Sequence, residues 1–293
     1  MPQVQANGIA IEYEKMGLID APVVLLVMGL GAQLTAWDVG FCAGIVEEGY
    51  QVVRYDNRDV GLSRMFDTEC PQPAALLPGV MAGEEVLVPY SLRDMADDAA
   101  GLLDALDLAS VHVVGASMGG MIAQRVAIHH ENRVRTLTSI MSTTGNPDLP
   151  PAAPEIIGLL TAPVPEDEDA ALDQGVERSR AFYGTGFPFD AGLARDRLRE
   201  TRARSLNPAG MVRQMLAIRT DGDRREELRT LSTPTLVIHG GDDPLVPIAG
   251  GHDTAEAIPG AEMLVVEGMG HSMPEGAWPA MLESMTSLWE SGS

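Results

Sequence analysis

Three residues that lie far apart in the chain have the types and positions that acyl-transfer chemistry needs. Ser117 stands at the centre of the Gly-x-Ser-x-Gly motif at 115–119, Asp243 follows a pair of glycines, and His271 lies in a second glycine-rich stretch. A serine hydroxyl is a weak nucleophile at neutral pH unless a base takes its proton and an acid orients that base. The order serine, aspartate, histidine therefore predicts a nucleophilic Ser117 served by His271 and Asp243.

The acid has two candidates, because Asp242 and Asp243 both follow the predicted strand at 235–239. The pattern favours Asp243, which lies two residues beyond the glycine pair and immediately before Pro244. A carboxylate before proline is also common in simple turns, so a structural role stays open for either residue.

The base is assigned to His271 because it follows the last predicted strand and has flexible glycines before it. The other five histidines fit less well. His112 lies on the strand before the serine, and His129 and His130 lie at the end of the helix after it. His239 precedes the acid too closely, and His252 lies on a predicted surface helix.

Acyl transfer also needs hydrogen-bond donors for the oxyanion that forms on the attacked carbonyl. The backbone N–H of Met118, the residue after the serine, is the first predicted donor. Leu30 is the second, because the glycines at 29 and 31 suit a backbone that turns an N–H inward after a buried strand.

The elements that must position these residues alternate between strands and helices. Val111 to Gly115 is a short apolar strand, and a breaker-free helix follows the serine to Ile128, which makes the motif a sharp strand–turn–helix. Further strands are predicted at 11–16, 22–27, 50–55, 134–141, 235–239 and 262–266, and helices at 37–48, 91–106, 249–257 and 278–290. This rhythm predicts an α/β fold with a mostly parallel central sheet flanked by helices, and residues 65–90 are predicted to form a long loop.

The alternation stops between residues 146 and 230, which carry prolines, an acidic run at 166–169 and helical patterns without a strand. This segment is predicted to be a helical cap inserted into a core formed by 1–145 and 231–293, with the acidic run at a solvated helix start. Six apolar residues of the segment either line a pocket or pack the cap on the core: Phe182, Tyr183, Phe187, Phe189, Met211 and Met215.

The composition narrows the classes of partner. The chain of 293 residues has 42 acidic and 20 basic side chains, a formal net charge of −22 that disfavours nucleic acids and anionic membranes. The N-terminal residues lack a basic stretch followed by an apolar core, and only two cysteines occur, so a reducing cytoplasm is expected. No cofactor or metal ligand set is evident, and a monomer or small homo-oligomer acting on a small molecule is expected.

With these motifs in place, the chain resembles the α/β-hydrolases that carry a helical lid. The resemblance rests on five stretches in order: MGLG at 28–31, YDNRDVGLS at 55–63, GASMG at 115–119, HGGDDPLVP at 239–247 and GMGH at 268–271. The chain is most similar to bacterial esterases related to aclacinomycin methylesterase and to the cofactor-free haloperoxidases. It departs from many relatives at Met28, where they have histidine, and at Asp59, where they have glycine in a turn interpreted as structural.

The resemblance implies a serine hydrolase that cleaves small to medium hydrophobic carboxylic esters through an acyl-enzyme on Ser117. Relatives that hydrolyse carbon–carbon bonds or lactones, and proline iminopeptidases, share the three residues and remain alternatives. A hydrolase-fold protein that only binds a ligand is the alternative outside enzymes. The intact set of Ser117, Asp243 and His271 with both oxyanion loops favours an enzyme.

Overall fold

The computed structural model describes residues 2–70 and 72–291. Eight strands of these residues form one sheet in the order β1-β2-β4-β3-β5-β6-β7-β8. Their bounds are β1 Gln3–Ala6, β2 Ile9–Met16, β3 Val23–Val27, β4 Gln51–Tyr55, β5 Val111–Ala116, β6 Val134–Ile140, β7 Thr235–Gly240 and β8 Glu262–Val266. The pairs β1–β2 and β2–β4 are antiparallel, and the five pairs from β4 through β3 to β8 are parallel, so the predicted mostly parallel sheet is confirmed.

Eleven α-helices of the described residues surround the sheet and connect its strands. They are α1 Val39–Glu47, α2 Leu77–Met81, α3 Leu92–Ala105, α4 Met118–His129, α5 Pro154–Thr161, α6 Glu168–Tyr183, α7 Ala191–Arg204, α8 Pro208–Asp221, α9 Arg225–Leu228, α10 Ala249–Ala257 and α11 Trp278–Ser291. A capping box begins α3, since the Ser91 hydroxyl accepts the Asp94 N–H and the Asp94 carboxylate accepts the Ser91 N–H.

Two apolar layers enclose the sheet. Helices α3 and α4 pack on one face and α1 and α11 on the other. Successive side chains of a strand point to opposite faces, which places Leu25 in the first layer and Leu26 in the second. Every residue of β3 and β5 is buried, as expected of central parallel strands covered on both sides, and these two strands carry the loops that form the site.

The prediction that residues 65–90 form a loop throughout is wrong for one part. A 3-10 turn at Pro73–Leu76 leads directly into the short helix α2. These helical turns span too few residues for a hydrophobic period to register. Pro78 and Gly79 in α2 read as breakers, although proline is well tolerated in a first helical turn.

Residues 146–230 contain helices α5 to α9 and no strand, which agrees with the pattern seen in the sequence. The acidic run begins α6, where the Asp167 carboxylate accepts the N–H of Ala170, so the predicted helix start is confirmed. The division of the chain into a core and a cap stays a prediction. None of the helices in the described residues is both long and apolar enough to cross a membrane.

A buried ion pair ties the predicted cap to the turn after β4. The Arg213 guanidinium on α8 donates to both carboxylate oxygens of Asp59, at 2.7 and 2.8 Å, and neither side chain has any exposed surface. Asp59 has φ of +68°, a conformation that favours glycine, which gives a steric reason for the glycine of many relatives. Tyr90 also donates to this carboxylate at 2.7 Å, so Asp59 has a specific anchoring role in this chain.

Replacing Arg213 by methionine is expected to lower the free energy of unfolding by about 3–5 kcal/mol, because the Asp59 carboxylate would stay buried without its counter-ion. Urea denaturation measures this loss. Arg199→Met, which removes a half-exposed ion pair with Asp196 on α7, is the matched control and should change stability by less than about 1 kcal/mol. Equal losses in the two variants would show that the Arg213 pair anchors nothing.

His112 on β5 is a buried histidine outside the site. Its Nδ1 lies 2.9 Å from the Thr136 hydroxyl, while no described residue forms a hydrogen bond with its Nε2. Burial, with a smaller contribution from Arg135, lowers the pKa of His112 to about 4 from an ordinary 6.5. The imidazole is therefore neutral in the folded protein at neutral pH.

The unfolded chain binds a proton at this position near pH 6.5 and the folded chain only near pH 4, so acid favours unfolding between these values. We expect the His112 contribution to lower the free energy of unfolding by about 2 kcal/mol between pH 7 and pH 5. His112→Gln should reduce the pH slope of urea midpoints, although His239, whose pKa burial also lowers, keeps part of it. The exposed His252→Gln serves as control, and an unchanged slope in His112→Gln would contradict the prediction.

Candidate active site

Ser117 stands at a turn between β5 and α4 that leaves no room for larger neighbours. Its backbone has φ of 57° and ψ of −121°, a strained combination for a residue with a side chain. A Cβ on Gly119 would lie 2.0 Å from the Val27 carbonyl oxygen, and one on Gly115 would lie 2.1 Å from the Gly119 oxygen. The two motif glycines are thus required by close backbone packing around the serine.

The three residues predicted from the sequence lie in one chain of hydrogen bonds. His271 Nε2 lies 2.9 Å from Ser117 Oγ, and His271 Nδ1 lies 2.7 Å from Asp243 Oδ2. The other Asp243 oxygen accepts the backbone N–H groups of Leu245 and Val246, each at 2.9 Å. A carboxylate held in this way favours a proton on Nδ1, which leaves the Nε2 lone pair facing the serine hydroxyl.

Asp242, the competing acid, faces away from this chain of hydrogen bonds. Its carboxylate accepts the hydroxyl of Thr185 in the loop after α6, and its backbone N–H donates to Met269. The structure therefore places Asp243, and not Asp242, beside His271, although the catalytic role itself stays a proposal.

His239 lies next to Asp243, a contact that the sequence does not predict. Its Nε2 lies 2.8 Å from the Val246 carbonyl oxygen and 3.6 Å from Asp243 Oδ2. Its ring is fully buried, and burial lowers its pKa, so His239 is neutral at neutral pH. His271 is then the imidazole that the negative charge of Asp243 stabilises when it gains a proton.

The loop after β3 brings backbone N–H groups to the serine. A Cβ on Gly29 would lie 3.1 Å from Ser117 Cβ and 3.5 Å from its Oγ, so this glycine packs directly on the serine. The next N–H, that of Leu30, forms no hydrogen bond with another described residue. Met118 is the first residue of α4, and the N–H groups of a helix's first turn have no carbonyl acceptor within the helix. Among the residues that the structure describes, neither predicted donor therefore has its N–H bound to another group, and their role towards an oxyanion stays a prediction.

Buried polar side chains hold this loop in place. Asn57 donates to the Met28 carbonyl at 2.8 Å, and Asp56 accepts the Leu34 N–H at 2.7 Å. Gln214 on α8 accepts the Gly31 N–H at 2.8 Å. The turn after β4 is therefore structural, as interpreted from the sequence, and it also supports the loop beside Ser117.

The end of α6 holds the loop that carries His271. The His271 N–H donates to the Phe182 carbonyl at 2.6 Å, and the Gly270 N–H donates to that of Tyr183 at 3.0 Å. Phe182 and Tyr183 were candidates for pocket lining by their side chains. Their backbone carbonyls support the histidine loop, a role that the sequence gives no means to foresee.

Two other apolar residues of this segment have distinct surroundings. Phe187 packs against the layer that contains α1 and α11, so it joins the segment to the core. Met211 lies on the loop beside the serine, since a Cβ on Gly31 would lie 3.2 Å from its Cγ. Among the described residues, no group of three or more His, Cys, Asp or Glu side chains is placed to hold a metal ion.

Comparison with known proteins agrees with the fold of the described residues. A family model for the α/β-hydrolase fold matches residues 22–276. Rhodomycin D methylesterase DauP from Streptomyces sp. (strain C5) is 30% identical over 283 residues, which cover 87% of this chain and 86% of that protein. Non-heme chloroperoxidase CPO-A1 from Kitasatospora aureofaciens is also 30% identical over 283 residues, which cover 91% of this chain and 90% of that protein.

The fold also matches solved structures at low sequence identity. The meta-cleavage product hydrolase CumD from Pseudomonas fluorescens IP01 superposes with a TM-score of 0.76 at 19% identity, over 100% of this chain and 98% of that one. This superposition shows that the chain has the same fold as that structure.

Proposed function

This chain belongs to the α/β-hydrolase fold family, and from that premise we propose that it is a carboxylic ester hydrolase that forms an acyl-enzyme on Ser117. The observation that carries the proposal is the continuous chain of hydrogen bonds from Ser117 through His271 to Asp243. The similarity to methylesterases supports an ester rather than another acyl compound as the substrate.

In the first half of the reaction, Ser117 Oγ attacks the ester carbonyl carbon while His271 Nε2 takes the hydroxyl proton. Asp243 stabilises the resulting imidazolium, and the N–H groups of Leu30 and Met118 donate to the oxyanion. When the tetrahedral intermediate collapses, His271 returns the proton to the departing alkoxide. The products of this half are an alcohol and an acyl group bound to Ser117.

The second half uses the same groups with water in place of serine. His271 takes a proton from water, the hydroxide attacks the acyl carbonyl, and the oxyanion is bound by the same two N–H groups. Collapse breaks the bond to Ser117 Oγ, which regains its proton from His271, and a carboxylic acid leaves. The net reaction converts ester and water into alcohol and carboxylic acid, and the three side chains end in their starting states.

We propose hydrophobic acyl groups of short to medium length as the preferred substrates. Met211 lies against the loop next to Ser117, and a flexible thioether adapts to acyl groups of different shapes. The formal net charge of −22 repels anionic substrates before they reach the site.

Hydrolysis of p-nitrophenyl esters from acetate to laurate, by the wild type and by Ser117→Ala with a chelator present, tests the proposal. We expect turnover by the wild type that the chelator does not change and that falls towards laurate. Turnover that survives in Ser117→Ala, or that needs a metal, would overturn the mechanism. No turnover by the wild type would favour a carbon–carbon bond hydrolase or a ligand-binding protein.

A further inference from the structure

Gln214 links the predicted cap to the loop beside the serine. It lies on α8 and has no exposed surface, yet both ends of its amide bind core backbone. Its Oε1 accepts the Gly31 N–H at 2.8 Å, and its Nε2 donates to the Arg58 carbonyl at 2.8 Å. A buried amide with both bonds made has a fixed orientation, because turning it over would break both.

The bond to Gly31 decides which N–H group of the loop is available to the oxyanion. Gly29 packs on Ser117, so the peptide group that follows it, with the Leu30 N–H, is the one next to the serine. The following N–H, on Gly31, is bound to Gln214, and Gly31 itself has φ of +65°. With the Gly31 N–H held on the α8 side, the Leu30 N–H remains the donor without a partner among the described residues.

The same helix is held against the core by the neighbouring residue. Arg213 pairs with the buried Asp59, so α8 cannot shift relative to the turn after β4 without breaking that ion pair. Gln214 thus stands on a helix with a fixed position. An oxyanion donor needs this support, because a displacement of about 1 Å can cost about 100-fold in rate.

We propose that Gln214 is a positioning residue of the oxyanion hole: it binds the Gly31 N–H so that the Leu30 N–H is directed at the oxyanion. This inference rests on the proposed ester hydrolysis. It makes α8 part of the catalytic apparatus without any contact between Gln214 and the substrate.

The test compares Gln214→Met, which keeps the length of the side chain but removes the acceptor, with Gln214→Glu, which keeps an acceptor for Gly31. We expect Gln214→Met to lower kcat for a p-nitrophenyl ester by about 10- to 100-fold with KM within about threefold of the wild type. Gln214→Glu should retain more kcat than Gln214→Met, because a carboxylate oxygen still accepts the Gly31 N–H even though the Arg58 carbonyl loses its donor. If Gln214→Met does not fold, Gln214→Asn replaces it, since the shorter amide is polar but withdraws from Gly31.

Gln124→Met is the matched control for stability. Gln124 is equally buried and forms two hydrogen bonds through its amide, one with Ser139 and one with Arg224. The Gln124→Met variant should lose as much thermal stability as Gln214→Met. It should keep kcat within about twofold of the wild type, as expected for a residue remote from the transition state.

The second readout is affinity for a trifluoromethyl ketone, which forms a tetrahedral adduct whose oxyanion occupies the same site. A drop that matches the loss in kcat for Gln214→Met, with no drop for Gln124→Met, supports the inference. An unchanged ketone affinity, or equal kcat losses in both variants, overturns it.

Failure of the inference is distinguishable from failure of the proposed function. If the wild type turns over esters through Ser117 and Gln214→Met does so equally well, only the role of Gln214 fails. If the wild type turns over no ester, the rate at which a fluorophosphonate labels Ser117 replaces kcat, because phosphonylation also places an oxygen in the oxyanion hole. Equal labelling rates in the wild type and Gln214→Met would then overturn the inference by itself.

Discussion

Replacing Ser117 by alanine is expected to lower kcat/KM for a p-nitrophenyl ester by about 10⁴- to 10⁶-fold. The hydroxyl lies 2.9 Å from the only ring nitrogen of His271 that is not bound to Asp243, and alanine offers that nitrogen nothing to deprotonate. The remaining turnover should come from water attacking an ester held by the oxyanion donors. Initial rates at several ester concentrations, with the uncatalysed rate subtracted, measure the loss.

Ser139→Ala is the matched control for this substitution. Ser139 is a buried serine on β6, the strand next to β5, and its hydroxyl accepts a hydrogen bond from Gln124. Its loss should leave kcat/KM within a few-fold of the wild type. A decrease of tenfold or less in Ser117→Ala would contradict the proposed role of Ser117, because another residue would then have to be the nucleophile.

Replacing Asp243 by asparagine is expected to lower kcat by about 10⁴-fold with little change in the fold. An amide at this position can present its NH₂ group to His271 Nδ1, which would place the imidazole proton on Nε2 and leave no lone pair for the serine. It also removes the charge that stabilises the imidazolium. Single-turnover rates should show the loss in acyl-enzyme formation.

Asp242→Asn provides a control one residue away with the same change of chemistry. The Asp242 carboxylate accepts the hydroxyl of Thr185, and an amide oxygen can accept that bond as well. Its kcat should remain within about threefold of the wild type, since no group of the proposed mechanism changes. A larger loss of kcat in Asp242→Asn than in Asp243→Asn would assign the acid to Asp242 and contradict the proposed role of Asp243.

The fold and the three site residues could be predicted because each depends on local patterns. Ser117, Asp243 and His271 each follow a short apolar strand, and the carboxyl ends of parallel strands meet at one edge of the sheet. The glycines at 115 and 119 are required by contacts within a few residues of the serine or with the neighbouring strand. Short apolar strands and glycine motifs can be recognised in a single sequence.

The supporting contacts could not be predicted because they join residues that are distant in the chain. Gln214 and Gly31 are separated by 183 positions, and Arg213 and Asp59 by 154. Glutamine and arginine side chains are mostly exposed in proteins, and only the packed structure shows that these two are buried. The short helix α2 escaped detection for a different reason, since five residues with an internal proline and glycine carry no period.

The most direct test of the acyl-enzyme on Ser117 is intact-protein and peptide mass spectrometry after rapid acid quenching of the wild type with a p-nitrophenyl ester. We expect a mass increase of one acyl group on the peptide that contains Ser117. The increase should be absent in Ser117→Ala and reduced in His271→Ala. Acylation of a residue other than Ser117 would contradict its proposed role as the nucleophile. Formation of the adduct in His271→Ala as fast as in the wild type would contradict the proposed role of His271 as the base.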